Sequence, residues 1–295
     1  MRFAHVVLVA LAGCGHPPQP AAIENRAATA AATAGATTAV FEPTAFSVEL
    51  RGHGRPVILI PGLGCPGSVW SGVVEHLRHY ETHQLTLAGF AGVPRIDGPL
   101  ARTAVDELAR YIRDRHLVSP VVIGHSLGGF VAYALAAREP TLVGPTIIVD
   151  AGATVGTGDR DAAAEARDMW RGASDAQFAQ QIIDVFGSMS AKPDRLRPVL
   201  AEIAKSDRRA IGDAIYELST SDLRNQLGKI RGPVLLVLAD GALKDDFRRQ
   251  GEAVRDREVV VVPNTRHFVM IDDLDGFSAA VDGFLARHEV VATHR

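Results

Sequence analysis

From Phe46 onward, apolar positions switch repeatedly between two rhythms. FSVEL (46–50) alternates apolar with polar, the period of a strand with one face exposed. PVILI (56–60), PVVIG (120–124), PTIIV (145–149), PVLLVLA (233–239) and EVVVV (258–262) are short apolar runs bounded by turns. Such runs suit strands covered on both faces, and HQLTL (83–87) reads as a further strand. Longer stretches with helical spacing lie between them. Trp70, Val73, Val74 and Leu77 fall on one side of the first; Leu100, Ala104, Leu108, Tyr111 and Ile112 form a stripe along the second. Further helices are predicted from Leu127 to about Arg138, around Phe247, and from about Leu274 to His288.

This alternation predicts an α/β fold: a mostly parallel sheet of about eight strands with helices on both faces. One interval breaks the rhythm. From Ala153 to about Lys229 there is no strand pattern, only helical stretches such as DAAAEARDMW, DAQFAQQIIDVFGSM and LRPVLAEIAKSD. The expectation is a helical cap at about 153–229, sitting over one edge of the sheet.

The first forty residues follow neither rhythm. MRFAHVVLVALAGCG has one positive charge at Arg2, a short apolar run and small residues leading to Cys14. This is the layout of an export signal, too short to span a membrane. Leu11-Ala12-Gly13-Cys14 resembles the bacterial lipoprotein signal, which implies cleavage before Cys14, lipid on that cysteine and a stable membrane anchor. Gly15 is not the aspartate associated with inner-membrane retention, so the resemblance points to the outer membrane of a two-membrane cell. Residues 15–40, rich in Ala, Thr and Pro, lack the bulky side chains that order a segment and read as a flexible tether. The folded domain is then expected at 41–290, with a tail at 291–295.

Composition narrows the function classes. The chain has 295 residues, 47% hydrophobic and 22% charged, with a formal net charge of −3. There is no basic stripe to neutralise phosphates, so no nucleic-acid partner is expected. Two cysteines are too few for a disulfide framework. No G-x-G-x-x-G or P-loop pattern follows a strand, and no cofactor is expected.

The chemistry centres on Gly124-His125-Ser126-Leu127-Gly128, a G-x-S-x-G pattern directly after an apolar strand and before a helix. That context matters, because the turn lifts a serine hydroxyl above the sheet and points a helix N-terminus at it. From about Phe46 to His288 the chain resembles the α/β-hydrolase fold family, through PVILIPGLG, VVIGHSLGGF and NTRHFVMID. The resemblance implies a triad in the order serine, acid, histidine. Ser126 is the expected nucleophile, and His267, in the loop after the last strand, the expected base.

Two positions compete for the acid. The usual place after the seventh strand holds Ala242, with Asp240 two residues early; Asp245 and Asp246 read as first-turn acids of the next helix. Asp150, after TIIV, stands where some members carry the acid, and is placed ahead of Asp240 because the acid must reach the far nitrogen of His267. A serine–histidine dyad without an acid also remains open. Backbone N–H groups of Leu63 and Leu127 are the expected oxyanion donors, since the family's usual His-Gly is Pro61-Gly62 here and donation needs only backbone. Cys65 reads as a small buried filler. His76, His79 and His83 are read as solvated surface rather than a metal site, because the next strand begins near His83 and breaks their helical alignment.

These readings converge on an exported serine hydrolase, acting on a small-molecule carboxylic ester through an acyl-enzyme. Two rivals stay open: other chemistry on the same fold, namely carbon–carbon hydrolysis or a peroxidase-like reaction, and a non-catalytic binding module that retains the elbow.

Overall fold

The computed structural model describes residues 41–156 and 158–288. The expected leader, Cys14, tether and tail lie outside the described residues. No helix among the described residues is long and apolar enough to cross a membrane.

Each apolar run forms a strand: β1 (Phe46–Arg51), β2 (Pro56–Ile60), β3 (Glu81–Leu87), β4 (Val121–His125), β5 (Thr146–Val149), β6 (Val234–Ala239) and β7 (Arg257–Val262). They make a seven-stranded sheet among the described residues, against about eight expected, in the order β1-β3-β2-β4-β5-β6-β7. β1 runs antiparallel to β3, and every other pairing is parallel. β2, β4, β5 and β6 are almost wholly buried, as their unbroken apolar runs require. Each such aliphatic side chain contributes roughly 1.5–3 kcal/mol on leaving water.

Register decides where the chemistry goes. Ile60 pairs with Gly124, His125 with Val149, Val149 with Val237, and Ala239 with Val262. These strands therefore end level with one another, and the residues just beyond them share one rim of the sheet. The order of strands reverses between β2 and β4, the kind of position where open α/β sheets form a crevice.

Helices cover both faces. A 3₁₀ turn at Gly67–Trp70 leads into α1 (Ser71–His76) and buries Trp70. α2 (Leu100–Asp114) buries eight residues along its apolar stripe. α3 (Leu127–Arg138) has ten of its twelve residues buried, the signature of a central helix packed on all sides. α8 (Lys244–Gln250) precedes β7, and a short α9 (Val269–Asp272) and a longer α10 (Leu274–Arg287) follow it.

The interval without strands contains α4 (Arg160–Gly172), α5 (Asp175–Gln181) with a π-helical turn at Ile182–Phe186, α6 (Pro193–Ile203) and α7 (Arg208–Thr220). Local signals start these helices. Asp159 accepts from the backbone N–H groups of Asp161 and Ala162, Ser174 and Gln177 form a capping box, and Pro193 opens α6. The cap does more than sit over one edge. On one side Glu217 of α7 accepts from the Ala101 and Arg102 N–H groups at 2.9 and 3.0 Å, closing the N-terminus of α2. On the other, Ser190 to Lys192 bond to Asp272, beyond β7. The cap thus straddles the rim, because its polar ends find donors and acceptors on loops at both sides.

Candidate active site

Ser126 is the single residue between β4 and α3, with φ +54° and ψ −117°. A non-glycine residue in that region is strained, and glycines on either side make the turn possible. A Cβ on Gly124 would lie 2.1 Å from the Gly128 carbonyl oxygen, and one on Gly128 would lie 2.2 Å from that of Ile60. The backbones touch, so nothing larger than hydrogen fits. The side chain is left half-exposed at the rim.

His267 follows β7 on the loop 263–268. Its Nδ1 donates to Oδ2 of Asp150 at 2.7 Å. An ionised carboxylate only accepts, so Nδ1 carries the proton and Nε2 is left as the acceptor. Asp150 is buried, directly follows β5 and has φ +43°, a left-handed conformation that aspartate tolerates better than most residues. β6 pins it twice: its N–H donates to the Val237 carbonyl at 2.8 Å, and its Oδ1 accepts from the Ala239 N–H at 3.0 Å. Asp240 faces elsewhere. Its carboxylate pairs with Lys244 one helical turn along, in the open.

His125, the residue before Ser126, joins the serine's turn to the histidine loop. Its Nε2 donates to the His267 carbonyl at 2.9 Å, and the two rings lie 4.6 Å apart. Burial pushes its pKa well below the usual imidazole value, and the neighbouring His267 pushes it further, against the opposing effect of that hydrogen bond. His125 is therefore neutral, a proton on Nε2 and none on Nδ1. Pattern reading passed over this residue, although a polar side chain in a fully buried strand was a usable signal.

The loop after β2 completes the rim. Cys65 N–H bonds back to the Gly62 carbonyl at 3.1 Å, and Gly64 takes φ +70°. A Cβ on Gly62 would stand 3.2 Å from Ser126 Cβ, so this turn lies against the serine and brings the Leu63 amide to the same neighbourhood. Leu127 begins α3, and its N–H has no partner within the helix. Cys65 is buried, and burial pushes its thiol up to about 12, which leaves no thiolate for nucleophilic work.

The remaining candidates disperse. His76 is exposed and bonds to Asp282, His79 is exposed, and no three metal-ligating side chains gather among the described residues. His83 corrects the expectation of a solvated surface. It is buried on β3, with Tyr111 hydroxyl on Nδ1 at 2.8 Å and Glu81 on Nε2 at 2.9 Å. A strand covered by neighbours on both sides takes it inside, and these two partners satisfy both ring nitrogens.

A strained serine, an imidazole bonded to a buried carboxylate and open amides at a helix N-terminus share this rim, and they are the groups that acyl transfer uses. The sequence pattern of the alpha/beta hydrolase family matches residues 57–280. A pimeloyl-[acyl-carrier protein] methyl ester esterase of Shewanella sp. (strain MR-7) is 25% identical over 272 residues, 85% of this chain and 98% of that protein. An N-formylmaleamate deformylase of Pseudomonas putida is 28% identical over 242 residues, 79% of this chain and 90% of that protein. Among solved structures, a thermophilic esterase from Thermogutta terrifontis superposes with a TM-score of 0.74 at 18% identity, covering 83% of this chain and 94% of its own.

Proposed function

Because the chain belongs to the alpha/beta hydrolase family, we propose that it is a serine hydrolase cleaving small carboxylic esters through an acyl-enzyme. Ser126 Oγ attacks the ester carbonyl while Nε2 of His267 takes its proton. Asp150 holds the Nδ1 proton and stabilises the imidazolium that forms, and the Leu63 and Leu127 N–H groups bind the oxyanion. Collapse expels the alcohol, to which His267 returns the proton; water, activated the same way, then releases the acid and frees Ser126. The observation that carries this reading is the 2.7 Å bond between Asp150 and His267, on a loop tied to the serine's own turn. Ester hydrolysis is the activity named for the Shewanella and Thermogutta proteins, and it is the bond type favoured here.

The proposal extends to location: an exported protein held at the cell envelope by lipid on Cys14, supported by the Leu11–Cys14 pattern alone. One experiment tests both parts. Cells expressing the full chain are fractionated, and each fraction is treated with a fluorescent fluorophosphonate, with the adduct located by mass spectrometry. The expected result is label on Ser126 in the membrane fraction, moving to the soluble fraction in Cys14→Ser and vanishing in Ser126→Ala and His267→Ala. An unlabelled Ser126 in folded wild-type protein refutes the hydrolase, and membrane retention of Cys14→Ser refutes the anchor.

A further inference from the structure

Asp272 ends α9 with only 2% of its surface exposed. N–H and O–H donors fill its carboxylate, and they come from two segments distant in sequence. Oδ2 accepts from the Arg266 N–H at 2.7 Å, on the loop that carries His267. Oδ1 accepts from the Ser190 hydroxyl and from the Lys192 N–H at 3.2 Å, both in the cap, and the Ala191 N–H is shared between the two oxygens at 3.0 Å. Arg266 adds a second tie, donating from Nη1 to the Ser188 carbonyl at 3.0 Å.

A buried carboxylate without a cation is costly unless its lone pairs are filled, and charge-assisted bonds of this kind are roughly twice as strong as neutral ones. An apolar residue would fill the same space without that cost, but would not hold two separate segments together. We propose that Asp272 is a positioning residue: it fastens the His267 loop to cap residues 188–192, so that the cap sets the imidazole against Asp150. The inference rests on the reading of His267 as general base. His267 is then gripped from both sides along its backbone, through the Arg266 N–H by Asp272 and through its own carbonyl by His125. Lifting this part of the cap withdraws the anchor of the residue before His267. A displacement of about 1 Å at a reacting group costs on the order of a hundredfold in rate.

The test compares the full-length wild type with Asp272→Asn, whose amide NH₂ meets N–H donors that the carboxylate accepts. On a short-chain aryl ester, kcat is expected to fall at least about tenfold with KM within about threefold. Fluorophosphonate labelling of Ser126 should slow by the same factor. The low-field proton resonance of His267 Nδ1–H should shift or broaden, a signature that a role in folding alone does not move. Ser190→Ala, which removes the hydroxyl that donates to Asp272 and accepts from the Lys192 N–H, should lose about two- to fivefold in kcat, and Ser190→Thr should restore it. A folded Asp272→Asn with wild-type kcat and an unmoved resonance overturns the proposal; if that variant does not fold, wild-type kcat in Ser190→Ala overturns it. His267→Ala separates the two levels. Activity surviving in His267→Ala refutes the hydrolase mechanism itself, whereas its loss beside a wild-type Asp272→Asn refutes only the positioning role.

Discussion

Asp150 and Asp240 follow neighbouring strands, and each is the first residue past its strand's end. What separates them is backbone direction. The left-handed turn at Asp150 and its two bonds to β6 aim one carboxylate at His267, while Asp240 begins the turn toward α8 and meets Lys244. Asp150→Asn should therefore lower kcat on an aryl ester by about 10³–10⁴-fold, because the wrong tautomer of His267 is held in place. Asp240→Asn removes one exposed ion pair and should change kcat by less than about threefold. Steady-state rates of the two purified variants decide the matter, and the reverse order of losses removes Asp150 from the mechanism. Ser126 and His267 were legible in the sequence because a turn motif and chain order name them. The acid was legible only as a preference for Asp150 over Asp240, since the choice depends on a dihedral angle and a strand register. His83 eluded the pattern for a related reason: Tyr111, far along the chain, reaches it only through the fold, while Glu81 lies two residues before it on the same strand.

Among the elements, the β4–α3 junction is the least forgiving. Three backbones meet where Gly124, Gly128 and the end of β2 converge, and a methyl group there has no side chain to push aside. Gly128→Ala should cost at least about 3 kcal/mol. At roughly 2–4 °C per kcal/mol for a domain of this size, the melting temperature should fall by about 6–12 °C, measurable by calorimetry. An unchanged melting temperature would mean that the junction relaxes more readily than this packing allows. Most elements were readable from period alone, including all seven strands. α7 was not singled out. Gly212 interrupts its sequence like a helix breaker, yet a Cβ there would lie 2.6 Å from the Arg167 carbonyl oxygen, so the glycine marks close packing of α4 on α7. Its start was signalled by Asp207, which accepts from the Arg209 N–H at 2.7 Å.

For the molecule as a whole, buried imidazoles make stability depend on pH. Burial lowers the pKa of both His125 and His83 from the ordinary 6.5, His125 well below it, so each resists protonation in the fold. Below that value the unfolded chain binds protons that the folded chain refuses. This contribution is complete above about pH 6.5 and is lost as the pH falls, at up to about 1.4 kcal/mol per pH unit for each proton. Glu217, whose pKa burial raises from 4.5, acts with the opposite sign from that value upward. Urea unfolding between about pH 5 and 8 should show the decline, and His83→Gln should reduce its slope. A flat profile would mean that neither histidine is held neutral.

The sheet's last strand carries a further consequence. Among the described residues β7 lies at the end of the strand order, and Val259 to Val261 are only partly covered while Val262 is buried. An edge rich in β-branched residues is the kind of segment that recruits other chains into fibrillar pairing. Arg257, Glu258 and Pro263 bracket the valines as gatekeepers, and Arg287 and His288 at the end of α10 close on Glu258. α10 thus ties the start of this strand to the helical layer as well as completing the core.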